Sequence, residues 1–281
     1  MAHRKYIVSG LMSGSSLDGV DLCTSEFVWD GQHWGFQILE AVTVPYEAEL
    51  RAKLEDACNW TRDKMEELDL QLGSYYAGLL NDFHNEFSLS PHYIASHGHT
   101  ILHDPARGIT LQAGNGRIMA EQTGIKVIND FRSEDVAQGG QGAPLVPIGD
   151  RLLFPQYQAC LNLGGFANIS FDNHRNERIA YDLGPANMAL NWVASLAGLT
   201  YDPQGALARE GNMNAELLHR LNQLDFYATI PPKSLGREWF IFATAVLIGW
   251  ILAVRRSLAT RRRAPATEPA AITDAAAERT P

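Results

Sequence analysis

The sequence predicts an α/β protein with enough chain for two lobes, and three observations support that prediction. A short apolar strand runs into a turn of glycines and serines within residues 6–22, and the same arrangement returns at residues 161–170. Strand-like and helical hydrophobic patterns are mixed between these two turns. With 281 residues, of which 46% are hydrophobic and 20% charged, the chain is long enough for two hydrophobic cores.

The net charge of the chain indicates which kinds of molecule it can bind. The formal net charge is −9, and residues 1–240 show no basic stripe of the kind that nucleic-acid backbones require. We therefore expect no nucleic acid and a small-molecule partner. Cys23, Cys58 and Cys160 are far apart and form no CxxC pair, which predicts reduced core thiols. The N-terminus shows no apolar signal segment, so we expect a cytoplasmic protein.

The first turn has the composition of an anion-binding loop. Gly10, Gly14 and Gly19 keep side chains out of the turn, so that successive backbone N–H groups can converge on phosphate oxygens. The spacing matches neither the Walker A pattern nor G-x-G-x-x-G. An ordinary turn between two strands of a hairpin is the alternative interpretation.

Polar side chains strengthen the first interpretation. Ser13, Ser15 and Ser16 add hydroxyl donors to the turn. Asp18 and Asp21 add carboxylate oxygens, which together with substrate phosphates are the ligands that Mg²⁺ prefers.

The elements that follow are predicted from hydrophobic periodicity. We expect strands at residues 20–27 and 34–44 joined by a turn at Asp30-Gly31, a short helix at 47–57 and a longer one at 64–87. The longer helix has an apolar stripe that predicts a packed face and not a cofactor site. The stripe consists of Met65, Leu68, Leu72, Tyr75, Leu79, Phe83 and Phe87.

Another polar cluster follows a predicted strand at residues 93–95. Ser96, His97 and His99 come directly after it, and alternate residues of a strand face the same way, so the two rings are expected to converge. A zinc site with His103 is one alternative, although no familiar ligand spacing supports it, and a polar turn with satisfied histidines is another.

A carboxylate ends the next predicted strand. A short helix ends at Gly124, a strand follows at residues 125–128, and Asp130 comes after its end. A carboxylate in this place lies at the mouth of an α/β cleft and can act as a general base. Arg132 can keep that carboxylate ionised or contact phosphate, and a structural Asp–Arg pair is the alternative.

Two further glycine clusters follow. The first, at residues 139–144, predicts a hinge, a turn or a close approach of another segment. In the second, Gly164 and Gly165 repeat the pattern of the opening turn. Asp182 precedes a helix predicted at residues 186–196, where it either binds metal or caps the helix, and we expect a cap.

Seven ordered motifs resemble the anhydro-N-acetylmuramic acid kinase family, whose superfamily also contains acetate kinase, actin and the heat-shock ATPases. These motifs are GLMSGSSLDGVD, SHGHTILHDP, TLQAGNG, VINDFRSEDVAQGGQGAPLVP, LNLGGFANIS, YDLGPANM and PPKSLGREWF, within about residues 5–240. The resemblance implies an actin-like (ribonuclease H-like) two-lobed sugar kinase. It also implies conversion of 1,6-anhydro-N-acetylmuramic acid, water and ATP to N-acetylmuramic acid 6-phosphate and ADP, in cell-wall recycling.

The resemblance also implies roles for particular residues. Asp130 is the expected catalytic base, and ATP with Mg²⁺ is the expected cofactor, with Asp18 as the metal ligand. Sugar contacts are expected from Ser96, His97, Gly98 and Arg132. Cofactor contacts are expected from Gly14, Ser15, Ser16, Leu17, Asp18, Gly19, Val20, Asp21, Gly164 and Gly165.

The motifs end near residue 240, and the chain continues differently. Residues 239–254 carry no charge and span about 24 Å if helical, against about 30 Å for a bilayer core, and the arginine-rich RRSLATRRR follows. We expect lobes at residues 1–147 and 148–238, the second incomplete, then a hydrophobic helix at 239–254 with membrane contact as an open question, and a disordered tail at 255–281. The alternatives for function are an inactive membrane-tethered remnant and an ordinary sugar kinase, and a homodimer is an open alternative.

Overall fold

The structure, a computed structural model, describes residues 4–14, 17 and 19–235. Within these residues the chain is a mixed α/β protein, as the sequence predicts. The predicted hydrophobic helix at residues 239–254 and the predicted tail at 255–281 lie outside the described residues. Among the helices of the described part, none combines the length and the hydropathy that a membrane span requires.

Six strands form the first sheet. They are β1 (Arg4–Ser13), β2 (Val20–Trp29), β3 (Trp34–Val44), β4 (Tyr93–Asp104), β5 (Ile109–Ala113) and β6 (Lys126–Asn129). The order is β3-β2-β1-β4-β5, and β6 also pairs with β4. β1 is antiparallel to β2 and parallel to β4, which is in turn parallel to β6. The predicted strand at residues 34–44 is confirmed, and the one predicted at 20–27 extends to Trp29.

Three helices accompany the first sheet. They are α1 (Ala48–Asp56), α2 (Arg62–Glu86) and α3 (Gly116–Thr123). α3 ends where the sequence predicts, because Gly124 adopts a left-handed backbone with φ of 70° and donates its N–H to Ala120 O. Short 3₁₀ turns lie at Ala57–Asn59 and Pro105–Arg107.

The core of the first sheet is covered by α2. The predicted stripe is confirmed at its start, where Met65, Leu68 and Leu72 are buried. Further along the helix Phe83 is buried as predicted, but the rest of the buried face differs from the prediction, because every fourth residue from Leu72 onward lies inward. The buried positions there are Tyr76, Ala77, Leu80, Phe83 and His84, whereas Tyr75, Leu79 and Phe87 are only partly buried.

The second sheet is smaller and entirely antiparallel. It has the order β7 (Ala159–Leu163), β8 (Phe166–Asp172) and β9 (Arg178–Pro185). Helices α4 (Ser133–Ala137) and α5 (Val146–Leu153) precede it, and α6 (Asn187–Ser195), a 3₁₀ turn at Pro203–Gly205 and α7 (Ala206–Glu210) follow it. The predicted boundary between lobes at residue 147 stays a prediction.

An apolar cavity of about 310 Å³ separates one face of the first sheet from α5. Its walls are Tyr6, Val8, Phe27 and Trp34 from the sheet, and Ile148, Gly149, Leu152 and Leu153 from the helix. Beside it Phe36 of β3 and Phe154 meet edge to face, with their ring centroids 5.6 Å apart. α5 therefore meets the face of the sheet through aromatic and aliphatic side chains.

Two short helices complete the described chain. α8 (Ala215–Asn222) begins with a side-chain cap, in which Asn214 Oδ1 accepts a hydrogen bond from Leu217 N at 3.0 Å. It belongs to a second compact unit, of which the structure describes residues 214–223 and 235. α9 (Asp225–Ala228) belongs to the first unit.

The three cysteines are free, as the sequence predicts. Their predicted place in the core is wrong for Cys58, which is exposed in the 3₁₀ turn after α1. Cys23 and Cys160 lie on strands and are partly buried.

Candidate active site

Three parallel strands bring the predicted site residues to one edge of the first sheet. Leu11 of β1 pairs with Ser96 of β4, and Ser96 pairs with Asn129 of β6. Gly14 and Asp130 directly follow the ends of β1 and β6. The first glycine turn, the Ser96 segment and Asp130 are therefore neighbours at this edge, where ligands of α/β sheets commonly bind.

The first glycine turn closes a hairpin between β1 and β2. Ser13 pairs with Val20 across it, and Leu17 N donates a hydrogen bond to Gly14 O at 3.2 Å. Leu17 has a φ of 57° and is only 5% exposed, so its side chain anchors the turn in the core. A Cβ on Gly19 would lie 2.4 Å from Val44 O, so this position requires glycine.

Other predicted members of this turn are placed differently. Val20 is fully buried, and Asp21 is exposed with its Oδ1 accepting a hydrogen bond from Thr43 Oγ1 at 2.5 Å. Ser15, Ser16 and Asp18 lie outside the described residues. Within the described part of the chain no group of three histidine, cysteine or acidic side chains is arranged to hold a metal ion.

The Ser13 hydroxyl does not point into the turn, so its predicted role as an anion donor is wrong. Ser13 is 1% exposed, and its Oγ lies 2.5 Å from Tyr46 OH and 2.7 Å from His99 Nδ1. Tyr46 OH lies 3.1 Å from Tyr76 OH. Burial lowers the pKa of His99 to about 4 and raises that of Tyr76, so these two side chains of the network, which the sequence did not predict, are uncharged at neutral pH.

A second buried network lies nearer the start of β1. Ser9 Oγ is 2.7 Å from Thr24 Oγ1 of β2 and 2.8 Å from His84 Nε2 of α2. Burial lowers the pKa of His84, which favours the neutral ring that this contact requires. The two networks fix β1 against β2, β4 and α2 on the N-terminal side of the first turn.

His97 and Arg132, two predicted sugar contacts, lie together. An Arg132 terminal nitrogen donates to His97 Nε2 at 2.8 Å, and His97 Nδ1 is 3.0 Å from Gly98 O. Because an arginine only donates and a carbonyl oxygen only accepts, His97 is the neutral tautomer with its proton on Nδ1. Burial, with a smaller contribution from the positive charge of Arg132, lowers the pKa of His97 in agreement with that tautomer.

The rings of His97 and His99 have different partners although the residues are two apart. Gly98 between them has a φ of 68°, which interrupts the strand alternation on which the predicted convergence depends. A Cβ on Gly98 would lie 2.6 Å from Ala113 O, so β5 approaches this backbone closely. Ser96 is fully buried, and its Oγ accepts a hydrogen bond from Gly98 N at 3.3 Å.

Asp130 is exposed in a left-handed conformation. Its φ is 55°, and its Oδ1 accepts a hydrogen bond from Ser133 N at 3.2 Å at the start of α4. The structural ion pair with Arg132, one of the alternatives, is not formed by these two described residues. Arg132 instead donates to Gly142 O at 2.5 Å, and Gly142 N donates to Asp135 Oδ2 at 2.6 Å.

The second glycine turn is a two-residue hairpin between β7 and β8. The carbonyl of Gly164 accepts a hydrogen bond from Asn187 N at 3.0 Å, and that of Gly165 accepts one from Ala186 N at 2.9 Å. The start of α6 thus contacts the turn. The predicted helix cap by Asp182 is wrong, because Asp182 lies within β9 and α6 has no side-chain cap.

These features define a mixed α/β protein with two glycine hairpin turns and a carboxylate at the carboxyl edge of its main sheet. Comparison with known protein families identifies the family to which the chain belongs. The chain belongs to the anhydro-N-acetylmuramic acid kinase family, whose model matches residues 5–260. This match extends past residue 240, where the motifs end, so the prediction that the likeness stops there is wrong.

Relatives with this name resemble most of the chain. The one from Sulfurimonas denitrificans is 38% identical over 242 residues, covering 82% of this chain and 64% of its own length. The one from Pasteurella multocida is 39% identical over 246 residues, with 83% and 64% covered. The Haemophilus influenzae relative is 37% identical over 243 residues, with 82% and 62% covered. The chain thus spans somewhat less than two thirds of the length of these relatives.

A solved structure also shows a distant likeness. The Aquifex aeolicus member of the Ppx/GppA family aligns with a TM-score of 0.33 and 15% identity, over 67% of this chain and 54% of that one. A likeness of this size supports no inference about the fold.

Proposed function

We propose that this protein carries out the reaction for which its family is named, the ATP-dependent conversion of 1,6-anhydro-N-acetylmuramic acid and water to N-acetylmuramic acid 6-phosphate. The observation that carries the proposal is the match of the family model to residues 5–260. The meeting of the first glycine turn, the Ser96 segment and Asp130 at one sheet edge supports it, because a kinase needs phosphate-binding amides, sugar contacts and a base side by side.

The strand order supports an actin-like, ribonuclease H-like first lobe. An antiparallel hairpin, β1-β2, extends by β3 on one side, and parallel β4 and β6 follow on the other. In the proposed two-lobed kinase, residues 1–147 form this lobe and residues 148–238 belong to the second one.

Asp130 is proposed as the base that takes a proton from the attacking water. The water oxygen forms a bond to the anomeric carbon, the bond from that carbon to O6 breaks, and O6 receives the γ-phosphoryl group as ADP leaves. Asp130 is exposed beside the sheet edge, which leaves room for such a substrate. Its Oδ1 accepts from Ser133 N, and among the described residues none donates a hydrogen bond to its Oδ2, which leaves that oxygen for the water.

The amides of the first glycine turn are proposed to hold phosphate oxygens. Gly14 and Gly19 suit this role through their backbone because neither has a side chain, whereas Leu17 N already donates to Gly14 O. Asp18 is proposed to hold Mg²⁺, which would neutralise phosphate charge. Gly164 and Gly165 are proposed as the second phosphate turn. A kinase that draws on ATP is expected in the cytoplasm.

The test is an assay of ADP release from the full chain with 1,6-anhydro-N-acetylmuramic acid and ATP. Asp130→Asn is expected to lower kcat by about a hundredfold or more, because a general base contributes on that order. Glu134→Gln, which neutralises an exposed carboxylate of α4 nearby, is the matched control and is expected to turn over normally.

Asp182→Asn belongs in the same series, because Asp182 does not cap α6 and its role in β9 is open. If Asp182→Asn loses turnover while Asp130→Asn keeps full activity, the general base is Asp182 and not Asp130. No ADP release, measured beside an active relative, would overturn the proposed reaction. If ADP release is equally fast with a simple sugar that accepts the phosphoryl group on an existing hydroxyl, the protein is an ordinary sugar kinase.

A further inference from the structure

Arg132 is a partly buried cation whose hydrogen bonds go only to neutral groups. Its two terminal nitrogens donate to His97 Nε2 and to Gly142 O. Its Nε is buried and has no acceptor. No carboxylate lies within ion-pair distance of it among the described residues. Each terminal nitrogen carries two hydrogens, so a second donor remains on each.

Among the residues that the structure describes, Arg178 is the other arginine that is largely enclosed, and it is neutralised in the usual way. Arg178, whose side chain is 13% exposed, has Asp172 at 3.5 Å and Asp150 at 4.0 Å from its guanidinium nitrogens. Two carboxylates, one from α5 and one from β8, thus neutralise it. A guanidinium that is taken partly out of water without such partners is costly to the fold, and a bound anion would offset that cost.

Two acidic residues close to Arg132 in the sequence, both within the described part of the chain, form no ion pair with it. Asp135 Oδ2 accepts from Gly142 N, and Asp130 Oδ1 accepts from Ser133 N. In agreement, burial lowers the pKa of Arg132 and no neighbouring carboxylate raises it. The positive charge at this edge is therefore left for a ligand.

The position of Arg132 favours the sugar over the nucleotide as the source of that anion. Arg132 follows β6, and β6 and β1 both flank β4, so the arginine lies about two strand spacings, or roughly 10 Å, from the strand that begins the first glycine turn. A monosaccharide fits between them. Its acidic group would then lie at Arg132 while its reacting end lies towards the phosphates.

We propose that Arg132, held by His97 and the Gly142 carbonyl, binds the lactyl carboxylate of the sugar acid and thereby selects muramic acid over sugars that lack it. This inference rests on the proposed function, since it takes its ligand from there. A fork of two N–H groups matches the two oxygens of a carboxylate, and such charge-assisted pairs are the strong ones. His97 acts as a positioning residue, because its neutral Nε2 orients the guanidinium.

The experiment is calorimetric binding to the full chain without turnover. The ligands are 1,6-anhydro-N-acetylmuramic acid and the same anhydro sugar without its lactyl ether, 1,6-anhydro-N-acetylglucosamine. We expect the acid to bind about ten- to a hundredfold more tightly, the range of a charged hydrogen-bonded contact. Arg132→Gln is expected to abolish that difference and to leave the affinity for the neutral sugar within about twofold.

Arg132→Lys keeps the positive charge but loses the two parallel N–H groups, so it is expected to keep part of the preference for the acid. This variant also tests the inference if Arg132→Gln does not fold. Arg117→Gln, an exposed arginine of α3, is the matched control and should keep all of it. A non-hydrolysable ATP analogue gives the third arm, and its affinity should not change in any variant.

Three results would overturn the inference: a wild-type chain that does not distinguish the two sugars, an Arg132→Lys variant that loses affinity for both equally, or a loss confined to the ATP analogue. The last would assign the anion to the nucleotide. Because binding is measured without turnover, a chain that prefers the acid but releases no ADP would sink the proposed reaction and leave this inference standing.

Discussion

Ser13 Oγ lies 2.7 Å from His99 Nδ1, beneath the first glycine turn. Both residues are almost completely buried, so the residue that ends β1 is tied to β4 by a contact that excludes water. The turn that follows Ser13 therefore starts from a fixed point. The stability of this contact depends on the protonation state of His99.

The first prediction concerns acid stability. Because burial holds the pKa of His99 at about 4, against 6.5 in the unfolded chain, the unfolded state binds more protons between these values. The stabilisation is fully present above pH 6.5 and is lost as the pH falls to about 4. The difference between these two pKa values corresponds to about 3 kcal/mol of stability.

Urea unfolding at pH 7.5 and pH 4.5 measures it. His99→Gln should lose less free energy of unfolding than the wild type between the two pH values, by about 2 kcal/mol. His33→Gln, in the exposed turn between β2 and β3, should behave as the wild type. Equal losses in the wild type and His99→Gln would contradict the burial of a neutral ring.

The second prediction concerns Ser9. Replacing it by alanine leaves His84 Nε2 and Thr24 Oγ1 without the partner they share, which should lower the free energy of unfolding by about 1–3 kcal/mol. Ser90→Ala, at an exposed position after α2, serves as the control. An unchanged urea midpoint for Ser9→Ala would show that the hydroxyl is dispensable.

The third prediction concerns Gly19. An added Cβ would lie 2.4 Å from Val44 O, so Gly19→Ala must displace either the turn or the end of β3, at about 1–3 kcal/mol. Gly78 on α2 has open space around its Cβ position, and Gly78→Ala should be neutral or stabilise by up to about 1 kcal/mol. Thermal unfolding of both variants decides the matter, since similar melting temperatures would mean that the turn adapts freely.

The fourth prediction separates the backbone of Asp130 from its charge. Its φ of 55° suits aspartate and asparagine, so Asp130→Asn should unfold within about 0.5 kcal/mol of the wild type. A β-branched residue tolerates this conformation poorly, and Asp130→Val should cost about 1–3 kcal/mol. Should the valine variant be as stable as the asparagine one, the left-handed backbone would not be a constraint.

Much of the first sheet follows from local sequence. The bounds of β3 and the end of α3 at Gly124 are predicted correctly, because alternation and a left-handed glycine are local signals. The sequence predicts His97 and Arg132 as separate sugar contacts, but it does not predict the hydrogen bond between them. It depends on the pairing of β4 with β6, which no short stretch of sequence encodes.

The errors have the same origin. Ser13 has the composition of a turn donor but lies on the inward side of β1, where Tyr46 and His99 meet it. Tyr76 replaces Tyr75 on the buried face of α2, in contact with Tyr46. A tyrosine on the apolar face of a helix indicates that its buried hydroxyl needs a hydrogen-bond partner. The sequence does not show which residue that partner is.

The contacts beneath the first turn also set an order of events during synthesis. β1 and β2 form a hairpin from neighbouring segments, whereas Ser13 and His99 are 86 positions apart and Ser9 and His84 are 75 apart. Local contacts form quickly, and distant ones wait for the chain that supplies them. The buried support beneath the first glycine turn can therefore form only after α2 and β4 have been synthesised.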